Sequence, residues 1–198
     1  VDADMAKLVA DLGAGTVGAL LVYGCNPVYA HPNGKKLGDL IAGLPLSVSF
    51  NGTLDETTER CKYIIPSHHW LESWGDAEPV SGYFSLQQPL IYPLFKTRAY
   101  QDSLLKWAGN GNDYANYIKA YWTTKLTSAD LWDKALQDGV VETPLVPVAG
   151  TFNGAKLAEA ASAIAATKGG AVELFLYQKV SMGDGSQAFG SVVTGVRH

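Results

Sequence analysis

Two short runs of apolar residues, each ended by a turn sequence, constrain the fold of this chain most strongly. Residues 19–23 (ALLVY) lead into the turn sequence 24–27 (GCNP), and residues 46–50 (LSVSF) stop at 51–52 (NG). The first is a continuous apolar run, typical of a strand buried on both faces, and the second repeats the pattern. Because a helical segment near 34–43 separates the two runs, we expect a β-α-β crossover and a parallel sheet.

The remaining patterns predict helices around this sheet. The fold class that we predict is α/β, three-layered, with a mostly parallel sheet and helices on both faces. Thr127 with Asp130 forms a capping-box pattern before one helix, and Gly139 is its stop. The further predicted elements are helices at 3–13, 101–107, 113–122, 128–137 and 154–167, a brief helix at 55–60 begun by Asp55, and strands at 63–66 and 171–177.

One main α/β domain is expected over residues 1–143, with an additional α/β segment over 144–198 packed on it. Residues 67–100 carry three prolines and little periodicity, so we predict a long irregular loop kept for function or for contact with another domain. The loop is rich in aromatic residues. They pack either on this domain's own core or against a partner.

Composition excludes several classes of partner and site. The net charge is −4 with a pI near 5.5 and the basic residues are scattered, which argues against nucleic acid. No apolar stretch approaches the roughly 20 residues of a membrane helix, so no direct membrane span is expected. Cys25 and Cys61 are too few for a zinc or iron–sulfur site. We interpret them as buried free thiols, with a disulfide as the open alternative, and composition does not reveal the compartment.

A ligand site is expected where the strands end. In open parallel sheets, ligands bind at the carboxyl ends of strands, where Gly24, Asn26, Pro27 and residues 51–52 gather. Glycine permits close approach of the backbone, and an asparagine amide can recognise the edge of a purine. The helix start at 55–58 is acidic, which suits a base or a ribose hydroxyl better than a phosphate. The alternative is that these are only turn residues.

A second hypothesis rests on the ionisable residues His68, His69, Glu72 and Asp76. They are the densest such group in the chain and could belong to a stand-alone hydrolase, a metal site or a nucleotide-binding protein. Adjacent histidines on an extended segment point to opposite sides, and no H-E-x-x-H or nucleophile-elbow motif is present. The better interpretation is that His68 and His69 are structural and form their hydrogen bonds within the loop.

Several ordered motifs resemble one family, the molybdopterin oxidoreductase (dimethyl-sulfoxide-reductase) superfamily. Residues 21–27 (LVYGCNP) resemble its strand ending in G-x-N-P, and residues 55–58 (DETT) with 61–66 (CKYIIP) resemble its D-E-T-A, A-D-x-V-L-P segment. Residues 71–75 (LESWG) and 86–91 (LQQPLI) resemble the stretches that follow. The sequences of residues 68–76 and 85–89 most resemble the molybdopterin-like iron–sulfur subunit of alternative complex III.

The resemblance implies that the chain is one domain of a larger subunit in a membrane-associated, quinol-oxidising redox complex. It implies a cofactor-cradle type of domain without a redox centre of its own, with the remaining domains of the parent subunit and the other subunits as partners. Iron–sulfur clusters are then expected elsewhere in the full-length subunit, at the periplasmic face of the bacterial inner membrane. No catalytic residue and no metal ligand are expected within this chain.

In relatives that carry the cofactor, the corresponding domain holds the guanosine-nucleotide part of the pterin. A molybdopterin guanine dinucleotide is therefore possible in the full-length protein, and a domain of an active molybdoenzyme is the alternative function. The positions carried over as cofactor-binding are Gly24, Asn26, Pro27, Glu56, Thr57, His69 and Glu72. The family's Ala-Asp before the third strand is Cys61-Lys62 here, and the metal-ligating Cys, Ser or selenocysteine has no counterpart.

Overall fold

The computed structural model of the chain describes residues 2–126, 128–145, 148–152, 154–166, 169–172, 174, 175, 177, 179, 180 and 183. The chain divides into two compact units, Val1–Leu145 and Val146–His198. The first unit holds two three-stranded sheets and most of the helices. In chain order its elements are α1 (Asp2–Gly13), β1 (Ala19–Val22), α2 (Pro27–Ala30), α3 (Gly34–Gly43), β2 (Leu46–Ser49), β3 (Tyr63–Ile64), β4 (Gly75–Val80), β5 (Tyr83–Gln87), α4 (Tyr100–Trp107), α5 (Tyr114–Leu126), α6 (Ala129–Asp138) and β6 (Val140–Glu142), with short 3-10 turns at Thr58–Arg60 and Trp70–Glu72.

The first sheet confirms the predicted β-α-β crossover. Its strands are parallel in the order β1-β2-β3, with Leu21 paired to Val48 and Val48 to Tyr63. Leu12 of α1, Leu37 and Ile41 of α3, and Leu44 directly after α3 form a buried core cluster, against which Leu20 of β1 packs. The predicted α/β class is therefore confirmed, and it rests on apolar residues that recur at helical spacing in α1 and α3. The expectation that β1 is buried on both faces is wrong, since Leu21 is 46% exposed. Only three of the six described strands of this unit are parallel.

The first unit's second sheet corrects the prediction of an irregular loop at 67–100. Its order is β4-β5-β6, and all its pairs are antiparallel. Pro79 lies in the edge strand β4, where the register shifts between Ala77 and Val80. A proline is tolerated at a sheet edge because its missing N–H faces no partner. The proline and the Ser81-Gly82 turn interrupt the alternation of apolar and polar residues that would have predicted this hairpin.

A second core joins this sheet to α5 and α6. Ile118, Trp122 and Trp132 are buried, and Trp74, Phe84 and Leu86 from the supposed loop pack against them. The Phe84 ring meets Trp122 edge-on at 5.1 Å between centroids. Trp74 and Phe84 therefore pack on the domain's own core, one of the two alternatives open for the loop aromatics.

The ends of α6 follow local rules. Ser128 is its N-cap, and the Ser128 hydroxyl accepts a hydrogen bond from the Asp130 N–H at 3.3 Å. The capping-box pattern predicted Thr127 as the N-cap, and this prediction is wrong because Ser128 holds that position. Thr127 itself lies outside the described residues. Gly139 ends the helix with a left-handed φ of 73°, as predicted.

The second unit contains a 3-10 turn at Gly154–Lys156 and α7 (Leu157–Ala166), which agrees with the helix predicted at 154–167 as far as the described residues reach. The strand predicted at 171–177 is not found, because the described residues in that range form bends or irregular chain. Every described side chain of α7 is exposed.

Candidate functional site

The predicted ligand residues of β1 and β2 gather at the carboxyl edge of the parallel sheet around Asn51. The Asn51 side-chain oxygen accepts a hydrogen bond from the Gly24 N–H at 2.8 Å. Its amide nitrogen donates to the Cys25 carbonyl and to the Asp55 carboxylate, both at 2.9 Å. Asp55 also accepts from the Thr58 N–H at 2.7 Å. Gly24 has a φ of +64°, a conformation that favours glycine at this sharp turn.

A second set of bonds fixes Asn26 to the turn that follows Asp55. The Asn26 oxygen accepts from the Thr57 hydroxyl at 2.7 Å and from the Thr57 N–H at 3.2 Å, while its amide nitrogen donates to Glu56 at 2.6 Å. The Thr57 hydroxyl in turn accepts from the Val28 N–H at 3.0 Å. Pro27 occupies the first position of α2, where its missing N–H costs nothing. Because Thr57 is fully buried, the Asn26 amide binds a group inside the protein and stabilises the contact between the two turns.

Several donors at this edge are already engaged within the protein. The Gly24 N–H, the Thr57 N–H and both groups of the Asn26 amide are engaged within the protein, and Glu56 is an exposed carboxylate. A diphosphate requires N–H donors or cationic side chains. These engaged donors could bind the diphosphate of a guanine-dinucleotide pterin only by breaking internal hydrogen bonds, whereas Glu56 could accept from a ribose hydroxyl.

Sequence reasoning missed three residues that hold this edge together. Asn51 was predicted as a ligand-contacting residue and not as the centre of an internal network, Thr58 was considered only as part of the acidic helix start, and Ser49 was not singled out. The Ser49 and Thr58 hydroxyls lie 2.8 Å apart, and both residues are fully buried. The signal was present in the sequence, because Ser47 and Ser49 interrupt an apolar strand and buried hydroxyls require partners.

Aromatic stacking links the strand ends to α4. The Tyr23 ring stacks on Tyr100 at 3.9 Å, and Phe50 contacts both Tyr100 and Trp107. The Tyr100 N–H donates to the Ser67 hydroxyl at 3.2 Å. Helix α4 is thereby fixed against the carboxyl edge of the sheet, and its first turn faces a neighbouring cleft.

That cleft has a volume of about 520 Å³ and lies beside the 3-10 turn Trp70–Glu72. Three carboxylates line it, those of Glu72, Asp102 and Asp113. Tyr114 is a further lining residue, and burial together with the Asp76 charge raises the pKa of its phenol to about 12, so the phenol stays protonated at neutral pH. None of the described residues that line the cleft is Lys or Arg. We refer to it below as the acidic cleft.

Glu72 lies in the wall of the acidic cleft, and His69 caps the 3-10 turn that carries it. The His69 Nδ1 atom accepts from the Leu71 N–H at 3.3 Å. Glu72 is buried, and its two oxygens accept from the His69 N–H and the Leu94 N–H, each at 2.9 Å. These hydrogen bonds, the one from Leu94 first, lower the pKa of the Glu72 carboxyl. Glu72 therefore acts as a fixed anion that ties residue 94 to the turn.

The geometry of His68 does not support the hydrolase hypothesis. A catalytic histidine uses one ring nitrogen for the nucleophile and the other for the orienting carboxylate. Here the Nδ1 atom faces both Thr97 Oγ1 at 2.6 Å and Glu72 Oε2 at 3.9 Å. Both Glu72 oxygens are already engaged by backbone N–H groups. The contacts of His68 and His69 are those of hydrogen-bonded structural histidines.

The two cysteines are free, but one part of their predicted environment was wrong. Cys25 is exposed instead of buried, because it lies in the turn after β1, and Cys61 is half-buried. Partial desolvation, and then the Asp55 carboxylate, raise the pKa of both thiols. A raised pKa reduces the thiolate fraction at neutral pH, so neither cysteine resembles an activated nucleophile.

The seven carried-over positions thus fall into two groups. Five of them lie together at the carboxyl edge of the sheet, namely Gly24, Asn26, Pro27, Glu56 and Thr57. Glu72 lies on the acidic cleft, and His69 caps the turn beside it without being among the residues that line the cleft. In the part of the chain that the structure describes, no group of three or more His, Cys, Asp or Glu is placed to hold a metal ion. No helix among the described residues is both long and apolar enough to span a membrane.

Together, the fold and site define an α/β domain with a polar network at the carboxyl edge of a parallel sheet, and its sequence is similar to one redox protein. Over 95 residues it is 39% identical to the "Menaquinone reductase, molybdopterin-binding-like subunit" of Nitratidesulfovibrio vulgaris, strain Hildenborough. The match covers 46% of this chain and 14% of that relative. No family model matches the chain. The similarity supports a relationship to molybdopterin oxidoreductase-like proteins, and the finer resemblance to the alternative complex III subunit stays a prediction.

Glu72 provides a test of this geometry by pH. Its folded-state pKa is lowered, so the stability that it contributes is present above the unfolded carboxyl pKa and is lost as the pH falls through the folded value. Glu72→Gln is therefore expected to unfold at a lower temperature than the wild type at pH 7, with a difference that shrinks toward zero at acidic pH. Thermal unfolding between pH 2 and pH 7 measures it.

The matched control is Glu59→Gln, at an exposed position of the other 3-10 turn. It should leave the unfolding temperature nearly unchanged at neutral pH. A difference between the wild type and Glu72→Gln that stays constant with pH would show that the carboxylate does not hold residue 94.

Proposed function

We propose that this chain is a structural α/β domain of a larger, molybdopterin oxidoreductase-like subunit in a quinone-linked, membrane-associated redox complex, and that it carries no redox centre of its own. The observation that carries the proposal is the 39% identity to a molybdopterin-binding-like subunit of a menaquinone reductase, which is a quinone-linked complex by name. Because the chain spans only 14% of that relative, its partners are the remaining domains of the parent subunit and the other subunits.

The hydrogen bonds at the carboxyl edge support a domain without a redox role. Asn26 and Thr57 bind each other, and Asn51 binds the turn at Gly24 and Asp55. Among the described residues every buried side-chain nitrogen and oxygen has a hydrogen-bond partner without a ligand, as expected of a scaffold. Iron–sulfur clusters and the electron path then belong to other parts of the full-length subunit.

The second candidate is a domain that binds a guanine-dinucleotide pterin in an active molybdoenzyme. It is favoured by the position of Gly24, Asn26 and Glu56 at the carboxyl edge of a parallel sheet, where nucleotides bind in open α/β folds. The two candidates differ in what Glu56 does. In a scaffold it only accepts a hydrogen bond from Asn26, whereas in a cofactor site it would also bind the nucleoside.

Glu56→Gln in the purified full-length complex separates these functions. A glutamine oxygen can still accept from Asn26, so assembly should persist, and we expect the rate of quinol-dependent electron transfer to stay within about twofold of the wild type. A loss of about tenfold or more in the assembled complex, or about 1.4 kcal/mol, would favour the cofactor-binding alternative. Glu59→Gln, on the neighbouring exposed turn, is the matched control. A complex with no quinone-linked activity in either direction would contradict the proposed function itself.

A further inference from the structure

Four large apolar side chains stand exposed on one short segment of the first unit. Leu90 is 76% exposed, Tyr92 92%, Leu94 73% and Phe95 77%. We call these four residues the apolar ridge. Single exposed apolar residues are ordinary on a protein surface, but four large ones within residues 90–95 indicate an interaction site. The ridge contains the most exposed of the large apolar side chains between residues 67 and 100, and Trp70 and Val80 of the same range are exposed as well.

The backbone holds the ridge in this exposed conformation. The Leu90 N–H donates to the Leu71 carbonyl at 2.7 Å, and the Leu94 N–H donates to the buried Glu72 carboxylate at 2.9 Å. Pro89 and Pro93 restrict φ within the segment. A segment fixed in this way loses little conformational entropy when a partner binds, so the ridge is preorganised for contact.

The acidic cleft lies directly beside the ridge, because Leu90 and Tyr92 are among the residues that line it. Its charged lining residues Glu72, Asp102 and Asp113 are carboxylates, and its described lining includes no Lys or Arg. Arginine is enriched at protein interfaces, where apolar contacts surround it at the centre. Asp102 and Asp113 each accept one backbone N–H through Oδ1, from Tyr114 and Asn116, and keep their negative charge toward the cleft. The charge of the cleft therefore favours a basic side chain on the partner.

We propose that the apolar ridge and the acidic cleft together form the docking surface for another domain of the same parent subunit, which packs apolar side chains on the ridge and places a Lys or Arg in the cleft. The inference rests on the proposed function, in which this chain is one domain of a longer polypeptide. The relative extends far beyond the stretch it shares with this chain, which covers 14% of its length.

Photo-crosslinking in the full-length complex tests the occupant. With p-benzoylphenylalanine in place of Tyr92, we expect a cross-link to a peptide of the same polypeptide outside residues 1–198, with no gain of mass by the subunit. A cross-link to another subunit, to a second copy or to lipid would overturn the proposal. So would the absence of a cross-link together with free labelling of Tyr92→Cys by a maleimide.

The charge of the cleft is tested by Asp113→Lys, combined with the cross-linker at position 92. We expect the cross-link yield to fall about threefold or more, because a like charge then faces the partner's basic group. Asp133→Lys, an equal change of charge at an exposed position of α6 outside the cleft, should leave the yield unchanged. Equal yields in both variants would contradict the basic group in the cleft.

The same preparation separates this inference from the proposed function. An intramolecular cross-link in a complex that lacks quinone-linked activity would overturn the proposed function but would still support the docking surface. Normal quinone-linked activity together with free labelling of Tyr92→Cys would support the proposed function and overturn the docking surface.

Discussion

Replacing Trp122 with Ala is expected to lower the free energy of unfolding by about 3–5 kcal/mol, the usual cost of truncating a large buried aromatic side chain. Trp122 is only 1% exposed, and its ring packs edge-on against Phe84 in the second core. Its indole N–H also donates to the Asp76 carboxylate at 2.8 Å, which would lose this donor. Denaturant unfolding followed by circular dichroism measures the change. Because small domains are only marginally stable, a loss of this size removes much of their stability.

Trp107→Ala is the matched control, because it removes the same side chain from a position that is 52% exposed. We expect it to cost about 1 kcal/mol or less. Similar losses in the two variants would contradict the second core as described. Trp122→Phe, which keeps an aromatic ring but removes the N–H, should lie between the two.

Replacing Asn51 with Leu is expected to cost about 1–3 kcal/mol, since the buried Asn51 amide makes hydrogen bonds to Gly24, Cys25 and Asp55 that Leu cannot make. The Gly24 N–H and the Cys25 carbonyl both depend on Asn51, and Leu can neither accept nor donate a hydrogen bond. The turn after β1 should therefore loosen as well. Hydrogen exchange at the Gly24 amide, together with denaturant unfolding, measures both effects.

Asn116→Leu serves as the control for the Asn51 variant. Asn116 is exposed on α5, so its replacement should change the free energy of unfolding by no more than about 0.5 kcal/mol. If Asn51→Leu were equally mild, the network at the carboxyl edge would not be what fixes the strand ends.

The parallel sheet could be predicted because its signals are local. Residues 19–23 and 46–50 are short apolar runs, each followed by turn residues, and the helix between them shows clear apolar periodicity. Helices α4, α5 and α6 were likewise predicted to within a few residues at their ends. In these segments local propensity and tertiary packing agree, which makes the sequence pattern sufficient.

The antiparallel sheet could not be predicted because its evidence is not local. Residues 75–87 contain Pro79 and a Ser-Gly turn, and the third strand, Val140–Glu142, comes more than 50 residues later in the chain. Only the packing of Trp74 and Phe84 on Trp132 and Trp122 makes this segment a sheet. Pairing over such a separation depends on tertiary contacts that periodicity does not record.

The candidate site shows the same division. The gathering of Gly24, Asn26 and Thr57 at one edge follows from strand topology and was predicted. That their polar groups bind one another could not be predicted, because hydrogen-bond partners depend on distances between turns far apart in sequence. The acidic cleft was missed for a related reason, since Asp102 and Asp113 belong to the ends of different helices.

The most direct test of the scaffold hypothesis is elemental analysis for molybdenum and tungsten, with fluorescent detection of oxidised pterin, on the full-length native subunit that contains this chain. We predict that the subunit contains iron but neither molybdenum, tungsten nor pterin. Stoichiometric metal and pterin would contradict the scaffold hypothesis and would make this domain part of a working cofactor site.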